Sequence, residues 1–342
     1  MKLAQFYDGI ELYREEKIVY ARLMTPHRVL STCRSSAGGM HDDLMYLYNH
    51  QSCEPAGGHM NARMYRLAVD SPEDYKREVA DRHNLPFQRC ATLGTAANMN
   101  NAAICIERFC DLEVVTVCTG GVEGNAGRAG DPATYYEPQD DSAKGQIDLE
   151  CERRPGTINA MIFLNRELTP GAMVTAVITA TEAKTAALQE LAVGSKYSEG
   201  LATGTGTDQI AVASKLGGKA ISFAGKHSKV GELIGRTMHD AVLETLALQN
   251  GLTAAGQCSS LAHLERLGTD SREMCQGIGE FLSRDNADLF EKSFSNIIKD
   301  PLTVAAVAAL VHLRDKFVWG TLPKSCMPEV MALYGAQISA AV

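Results

Sequence analysis

Two loops of the chain carry side chains whose types and spacing suit acid–base or nucleophilic chemistry. The loop TGTGTD alternates glycines with threonine hydroxyls and ends in an aspartate, just before the strand-like run IAVA. The triplet HSK places an imidazole, a hydroxyl and an ammonium at the predicted start of a helix, where backbone N–H groups favour negative charge. We predict Asp208 and His227 as an acid/base pair, and Thr205 or Thr207 as the nucleophile. N–H groups of the TGTGTD loop would donate hydrogen bonds to the oxyanion.

The pairing of Asp208 with His227 requires the chain to fold back on itself. Strand-like runs at residues 210–213 and 219–223 flank a Gly-Gly pair, so a hairpin between them would bring the two ends together. A carboxylate beside an imidazole stabilises the protonated ring and fixes its orientation, so the pair could hand a proton to a leaving amine. We therefore expect the site between the TGTGTD loop and the start of the second long helix.

A glycine-rich loop and the first long helix supply candidate ligand-binding groups. The segment TGGVEGNAGRAGDPA opens a stretch without periodicity, and its glycines let backbone amides approach a ligand closely. The predicted substrate-binding residues are Asn125, Arg128, Asp131, Asn159, Glu182, Lys184, Thr203, Ser228 and Lys229. Simpler interpretations remain open, because the TGTGTD loop could be a plain tight turn and Ser228 a helix cap between two ordinary surface residues.

Two long helices must hold these loops in place. The first is predicted over residues 170–193, because Thr169 can cap it, Pro170 suits its first position and a glycine can end it. The second is predicted over residues 229–249 from the helical spacing of its apolar residues. The first helix is so rich in alanine that Glu182 must be solvated, paired or functional, and we expect at least one polar side chain of this helix to face the substrate cleft.

The strand patterns favour an α+β fold. Near the N-terminus, short runs alternate apolar and polar residues and follow each other closely, which favours antiparallel pairing. We predict a largely antiparallel sheet sandwich with the two long helices packed on it, over residues 1–253, and a helical C-terminal extension over residues 254–342. The alternative is a doubly wound α/β sheet, whose buried parallel strands would read as continuous apolar runs. The residues HDD, shortly after the segment RVLSTCRSSAGG, are predicted to start a capped helix, with a place in a site as the alternative.

Composition opposes several classes of protein. The net charge of -8 and the pI of about 5.6 oppose nucleic-acid binding, which requires clustered lysines and arginines. Ten cysteines without a C-x-x-C motif, and no signal-peptide pattern, indicate reduced thiols in a soluble cytoplasmic protein. The longest apolar run, residues 302–313, is shorter than the roughly 20 residues of a membrane span. No zinc-type spacing of cysteine and histidine and no H-E-x-x-H motif occurs, so no metal site is predicted.

Four segments together resemble one known family. The runs GTINAMIFLNREL, TATEAKTAALQEL, TGTGTDQIAVAS and GKHSKVGELIGR are similar, in order and spacing, to the adenosylcobinamide amidohydrolases. Weaker similarity in RVLSTCRSSAGG and EGNAGRAGDPA extends the resemblance over residues 10–250. It does not include the C-terminal extension, so the architecture and oligomeric state of the family do not transfer directly to the whole chain.

The resemblance implies a hydrolase of corrinoid salvage or remodelling. Its substrate would be adenosylcobinamide, in which the amide between a corrin-ring propionate and aminopropanol, or aminopropanol phosphate, is cleaved to give adenosylcobyric acid. No cofactor is implied, because cobalt arrives inside the corrinoid substrate, and a homo-oligomer stays open. Two alternatives also stay open: a corrinoid-binding or regulatory protein without turnover, and an autoprocessing amidase with a threonine nucleophile.

Overall fold

The computed structural model describes residues 1–54, 62–133, 136 and 155–341. Within these residues the chain contains thirteen β-strands and nine α-helices, so the fold is mixed α+β, as the sequence predicts. Two compact units divide the chain, Met1–Asn250 and Gly251–Val342. The domain boundary predicted after residue 253 stays a prediction, because compactness does not show that either part folds alone.

Two large sheets and a small ribbon build the first unit. Sheet I has the order β1 (Lys2–Phe6), β2 (Ile10–Glu15), β3 (Ile18–Leu23), β6 (Tyr46–Gln51) and β7 (Cys90–Thr95). Sheet II has the order β5 (Gly39–His41), β4 (His27–Ser31), β13 (Gln209–Lys215), β11 (Thr157–Leu164), β9 (Leu112–Gly121) and β8 (Ala103–Phe109). The ribbon pairs β10 (Ala126–Gly127) with β12 (Gly204–Thr205).

Most neighbouring strands in both sheets run antiparallel. The exceptions among the described strands are the parallel pairs β6–β7 and β11–β13. β11 reads TINAMIFL and is buried along its whole length, as expected for a strand that is covered on both faces. With only these two parallel pairs in the described residues, the sheets do not have the mostly parallel order that the doubly wound alternative requires.

Four described α-helices belong to the first unit: α1 (Arg63–Asp70), α2 (Pro72–Arg82), α3 (Pro170–Glu190) and α4 (Lys229–Asn250). The predicted cap of α3 is present, since the Thr169 hydroxyl accepts a hydrogen bond from the Ala172 N–H at 3.3 Å. The helix ends before the predicted glycine, and Ala192 already has a left-handed φ of 51°. Apolar spacing therefore predicts that both long helices exist and predicts most of their length.

Apolar side chains join the sheets and helices of the first unit. Sheet I and sheet II share one buried cluster, which includes Leu12, Leu47, Val117 and Phe163. α4 packs on β8 and β9 of sheet II, and α3 packs on α4. On the other face of sheet I, α1 and α2 cover a second cluster around Tyr48. Successive side chains of sheet II therefore face the helices and sheet I in alternation.

Two local predictions are wrong. The hairpin after β13 does not form, because β13 already has β11 on one side and β4 on the other, which leaves no free edge. Residues 219–223 lie outside the strands, and Ile221 makes an isolated bridge to Leu168. The helix predicted at HDD is also absent, since His41 ends strand β5 and pairs with Val29. Local patterns do not reveal strands that arrive from distant parts of the chain.

The second unit consists of helices in its described residues: α5 (Ser260–Leu264), α6 (Ser271–Gly279), α7 (Arg284–Ile297), α8 (Pro301–Val318) and α9 (Met327–Ala341). Phe290, Phe294 and Ile298 form an apolar cluster in it. Asp300 caps α8 by accepting a hydrogen bond from the Thr303 N–H at 2.8 Å. No single described helix is long and apolar enough to cross a bilayer; α7 and α8 together pass that test by length and composition alone, with a bend of 83° between them.

We expect the buried side chain of His50 to make the first unit sensitive to mild acid. Its Nδ1 lies 2.8 Å from the Tyr75 hydroxyl, and burial lowers its pKa to about 3. A histidine in the unfolded chain has a pKa of about 6.5, so the unfolded state binds the proton first. Stability is therefore complete above about pH 6.5 and falls as the pH drops toward the folded pKa, by on the order of 2 kcal/mol near pH 5 from this group.

Urea unfolding at about pH 7 and about pH 5 measures this loss. His50→Gln removes the titrating ring, so its free energy of unfolding should fall less between the two pH values than that of the wild type. His41→Gln, at the end of edge strand β5, is the matched control and should keep the wild-type pH dependence. An unchanged pH dependence in His50→Gln would contradict the expectation.

Candidate active site

One end of the first unit collects the loops that carry most of the predicted site residues. β11 and β13 begin there, and β9 ends there because it is antiparallel to β11. α4 also ends there, since the Val122 N–H donates to Asn250 Oδ1 at 3.2 Å. We call this the loop end. The start of α4, with Ser228 and Lys229, lies a helix length away, about 33 Å for 22 residues.

The Asp208 carboxylate is the centre of the loop end. Its Oδ1 accepts hydrogen bonds from the Ile158 N–H at 2.9 Å and from the Thr205 hydroxyl at 2.6 Å. Its Oδ2 accepts from the Thr205 N–H at 3.0 Å and forms an ion pair with the Lys184 ammonium. The side chains of Lys184 and Asp208 are only 7% and 12% exposed, so each charge depends on the other to offset the loss of water.

The ion pair explains the glycine at position 204. A Cβ atom added to Gly204 would lie 2.4 Å from Asp208 Oδ2 and 2.7 Å from Lys184 Nζ. Both atoms are held by the ion pair and by the hydrogen bonds around it, so neither can move aside cheaply. Close approach of the backbone to the charged groups therefore requires a glycine here.

A second set of contacts surrounds the Thr207 hydroxyl. It donates to the Gly156 carbonyl at 2.9 Å and lies 2.6 Å from the Thr157 hydroxyl. The Asn125 amide donates to it at 3.3 Å, and Asn125 Oδ1 accepts from the Tyr197 hydroxyl at 2.6 Å. Among the described residues, no carboxylate or imidazole contacts the Thr207 hydroxyl, so it lacks the adjacent base that activates a nucleophile.

The glycine-rich loop is joined to the TGTGTD loop. Beside the β10–β12 ribbon, the Ala129 N–H donates to the Thr203 hydroxyl at 2.8 Å. Asp131 accepts from the Arg128 N–H at 2.7 Å and from the Ser195 hydroxyl at 2.6 Å. Burial raises the pKa of Asp131, but hydrogen bonds from serine hydroxyls and from the Arg128 N–H outweigh it and leave the pKa below its usual value. The predicted residues that meet at the loop end are Asn125, Arg128, Asp131, Lys184, Thr203, Thr205, Thr207 and Asp208.

A polar layer lies between the two sheets at the same end. Asn159 on β11 is fully buried, and its amide donates to Asn49 Oδ1 at 3.0 Å and to the Gly94 carbonyl at 2.9 Å. Asn49 donates in turn to the Thr119 hydroxyl at 2.6 Å. Asn159 Oδ1 has no hydrogen-bond partner within the described residues. Asn159 faces sheet I, whereas Asp208 meets α3 on the other face of sheet II, so the two do not line the same space.

The predicted pairing of Asp208 with His227 is wrong. His227 is exposed and lines, with Glu182, a separate cavity of about 230 Å³. Glu182 and Lys184 are two residues apart on α3, so their side chains point about 200° apart around the helix. Lys184 meets Asp208, whereas Glu182 pairs with Lys226, next to His227. α3 therefore separates the imidazole from the carboxylate.

The start of α4 has a structural role. The Ser228 hydroxyl donates to the Gly225 carbonyl at 2.8 Å and accepts from the Gly231 N–H at 3.2 Å, which caps the helix. Lys229 forms an exposed ion pair with Glu232 at 2.5 Å. In the described structure, the loop end has no contact with Glu182, Ser228 or Lys229. Glu182 is paired on the surface with Lys226, which is one of the possibilities that the sequence left open.

The N–H groups of the TGTGTD loop are largely occupied. The Thr203 N–H donates to the Gly127 carbonyl at 2.9 Å, and the Gly206 N–H donates to the Asn125 carbonyl at 3.3 Å. The Thr205 N–H donates to the Asp208 carboxylate. The expectation that these groups donate to an oxyanion is therefore wrong for all three.

Sequence reasoning missed several members of the loop end. Tyr197, Thr157 and Asn49 complete the contacts of predicted residues, but no pattern in the sequence marks them. Lys184 was expected to bind a ligand and instead pairs with Asp208. Its position on the alanine-rich buried face of α3 is the signal that could have found this pair, because a lone buried ammonium requires a partner. Within the described ranges, no three His, Cys, Asp or Glu side chains are placed to hold a metal ion.

Comparisons with known proteins bear directly on the resemblance seen in the sequence. The family model for adenosylcobinamide amidohydrolase matches residues 3–254. An uncharacterized protein of Methanocaldococcus jannaschii is 38% identical over 246 residues, which cover 71% of this chain and 90% of that protein. The solved structure of the L-aminopeptidase D-Ala-esterase/amidase from Ochrobactrum anthropi, a variant of the Ntn hydrolase fold, matches at 11% identity with a TM-score of 0.29, over 70% of this chain and 83% of that one. The structural similarity is too low to carry an argument, but on the first two findings this chain belongs to the adenosylcobinamide amidohydrolase family.

Proposed function

We propose that the chain hydrolyses the amide that joins a corrin-ring propionate to aminopropanol, or to aminopropanol phosphate, in adenosylcobinamide. The products are adenosylcobyric acid and the free amine. Membership of the family supports this reaction class. The reaction would serve salvage or remodelling of corrinoids in the cytoplasm. Cobalt enters as part of the substrate, and the proposal includes no resident cofactor.

The contact between the Thr205 hydroxyl and the Asp208 carboxylate carries the proposal. At 2.6 Å the hydroxyl already donates to a group that can accept its proton, which is the arrangement of an activated nucleophile. The Lys184 ammonium lies on the other carboxylate oxygen and keeps the carboxylate in place. Thr207 is the weaker candidate, because its hydroxyl contacts other hydroxyl, amide and carbonyl groups.

The reaction then proceeds in two stages. Thr205 Oγ1 attacks the amide carbon, its proton passes to Asp208, and the carbonyl π electrons move to the oxygen. When the C–N bond breaks, Asp208 gives the proton to the leaving aminopropanol nitrogen. Water then attacks the Thr205 ester and gives a proton to Asp208. Asp208 passes this proton to Thr205 Oγ1 as the ester C–O bond breaks, and adenosylcobyric acid leaves. The Lys184 ammonium offsets the negative charge of Asp208 whenever that carboxylate is ionised.

The loops around Thr205 supply the binding surface in this proposal. A corrinoid is broad and flat with amide side chains around its rim, so it requires hydrogen-bonding groups spread over a wide area. The glycine-rich loop, which contacts Thr203 through Ala129 and Ser195 through Asp131, would lie over the ring with Asn125 and Arg128 as polar contacts. Sheets I and II, layered with α3 and α4 as a sandwich, would give these loops a rigid base.

We expect Thr205→Val to remove turnover while the fold persists. The substitution keeps the shape of the side chain but deletes the attacking hydroxyl, so hydrolysis should fall by at least about 1000-fold. Thr207→Val is the matched control, since it deletes a hydroxyl two residues away, and it should retain most of the rate. Aminopropanol released from adenosylcobinamide, measured by mass spectrometry, gives the rates, and thermal melting reports folding.

Two outcomes would contradict this assignment. If Thr205→Val and Thr207→Val keep similar rates, Thr205 is not the nucleophile. If the wild type binds adenosylcobinamide and releases no aminopropanol, the chain is a corrinoid-binding protein instead. Intact mass before and after incubation also tests the autoprocessing alternative, which requires the chain to be cleaved.

We expect loss of the Lys184 ammonium to lower both stability and rate. Lys184→Met leaves the Asp208 carboxylate buried without its cation, a change that typically costs about 3–5 kcal/mol. Lys226→Met is the matched control, because it breaks the exposed pair with Glu182 and should cost less than about 1 kcal/mol. Urea unfolding measures both values, and similar losses in the two variants would refute the assignment.

We expect His227→Ala to keep near-normal turnover. α3 lies between His227 and Asp208, so the imidazole does not reach the reacting atoms. Loss of a true general acid would lower the rate by about 100-fold or more. The same aminopropanol assay decides between these results. A loss of that size would show that His227 takes part in the reaction.

A further inference from the structure

The backbone carbonyl of Gly156, just before strand β11, is surrounded by side-chain donors. Its oxygen lies 2.8 Å from the Thr157 hydroxyl, 2.9 Å from the Thr207 hydroxyl and 3.0 Å from the Asn125 amide nitrogen. A carbonyl oxygen has two lone pairs, so three donor groups are more than it needs for satisfaction. Gly156 and Thr157 are both buried. The donors draw electrons toward the oxygen and leave the Gly156 carbon open to a nucleophile.

The surroundings hold this carbonyl and its donors in place. The Tyr197 hydroxyl donates to Asn125 Oδ1 at 2.6 Å, which turns the amide nitrogen toward Gly156. A Cβ atom added to Gly156 would lie 3.0 Å from Asn125 Cβ and 3.0 Å from the Gly121 carbonyl oxygen, so the backbone fits closely between them. On the other side of the peptide bond, Thr157 pairs with Gly121 in sheet II. The peptide group is therefore held against its donors from both sides.

The Thr157 hydroxyl is the nucleophile nearest to the Gly156 carbon. Attack on the carbonyl of the preceding residue would close a five-membered ring. The hydroxyl proton also has a path away, because Thr207 Oγ1 lies 2.6 Å from Thr157 Oγ1 and donates in turn to the Gly156 oxygen. The two hydroxyls can thus carry a proton to the oxygen that gains electrons, without a separate base.

Another Gly–Thr bond at the end of a buried strand lacks this arrangement. At Gly94–Thr95, the Thr95 hydroxyl accepts a hydrogen bond from the Ala97 N–H at 3.0 Å. The Gly94 carbonyl accepts from the Asn159 amide at 2.9 Å, and among the described side chains no hydroxyl contacts it. The contacts at Gly156 are therefore not a general result of placing a threonine after a glycine.

We propose that the chain cleaves its own backbone between Gly156 and Thr157, with Thr157 as the nucleophile and Thr207 as the proton carrier. Thr157 Oγ1 bonds to the Gly156 carbon, its proton passes to Thr207, and the Thr207 proton passes to the Gly156 oxygen. The C–N bond then breaks, and its electron pair goes to the Thr157 nitrogen. Thr207 returns the proton from the Gly156 oxygen to that nitrogen, and the C=O bond forms again. The product is an ester of Gly156 with the Thr157 hydroxyl.

Water completes the cleavage. It attacks the ester carbon, the C–O bond breaks, and the electron pair and one proton of the water return to Thr157 Oγ1. Gly156 then ends in a carboxylate, and Thr157 begins with a free amine. Each chain reacts once, so hydroxyls can serve where repeated turnover would need a stronger base. This activity goes beyond the proposed corrinoid hydrolysis, which uses the Thr205 hydroxyl on Asp208.

Intact mass and N-terminal sequencing of the purified chain test the inference. The wild type should give two fragments, residues 1–156 and 157–342, whose summed mass exceeds that of the chain by one water, and the second should begin with TINA. Thr157→Val deletes the nucleophile and should stay intact, whereas Thr157→Ser keeps a hydroxyl and should be cleaved. In cell-free synthesis followed on denaturing gels, Thr207→Val should slow cleavage by about 100-fold. Thr321→Val, at another Gly–Thr bond, is the matched control and should be cleaved like the wild type.

Several results would overturn the inference. They are a wild-type chain that stays intact after folding, a cut at another bond, or cleavage of Thr157→Val at the wild-type rate. A rate that rises with protein concentration would also overturn it, since the cut would then be made by another molecule. Thermal melting checks that Thr157→Val folds; if it does not, the position of the cut in the wild type decides.

The aminopropanol assay keeps this inference separate from the proposed function. A chain that is cut between residues 156 and 157 and releases no aminopropanol supports the inference while the proposed function fails. Release of aminopropanol by a chain that stays intact overturns the inference and leaves the function standing.

Discussion

The buried ion pair between Lys184 and Asp208 is the constraint on which the loop end depends. Taking two charges out of water costs free energy that is offset only when the geometry is good and other hydrogen bonds fill the remaining positions. Here groups of Thr205 and Ile158 fill those positions on the carboxylate. One carboxylate thereby joins α3, the TGTGTD loop and the start of β11, three segments that are distant in sequence.

The same ion pair constrains how charge can move in the proposed reaction. In the proposed reaction, Thr205 gives its proton to Asp208, and negative charge moves from the carboxylate to the substrate. The Lys184 ammonium would then lose part of its partner. Lys184 is buried behind the carboxylate and does not move with the charge. In the proposed reaction, the negative charge that develops on the substrate would have to be met by a group on the substrate side.

The sequence predicted the helices because their signals are local, and it missed the strand neighbours because those signals are not. α3 and α4 follow from a cap, a proline and apolar spacing, each within one stretch. β13 is flanked by β4 and β11, which come from far earlier in the chain. Because both sides of β13 are paired, the hairpin on which the assignment of His227 depended does not form. The pattern of one strand does not contain its partners, so this geometry could not be read from it.

The loops of the site were predictable, and the cation at its centre was partly so. The glycine and hydroxyl pattern marks the TGTGTD loop, but which α3 side chain faces Asp208 depends on the rotation of the helix. The sequence predicts that rotation from a stripe of residues spaced four apart. The structure buries all of them: Ala172, Ala176, Ala180, Lys184 and Leu188. A lysine within a stripe of apolar residues must turn inward with them and meet a carboxylate there. Glu182, two residues away, is thereby turned outward, so helical phase alone separates the structural ion pair from the one at the site.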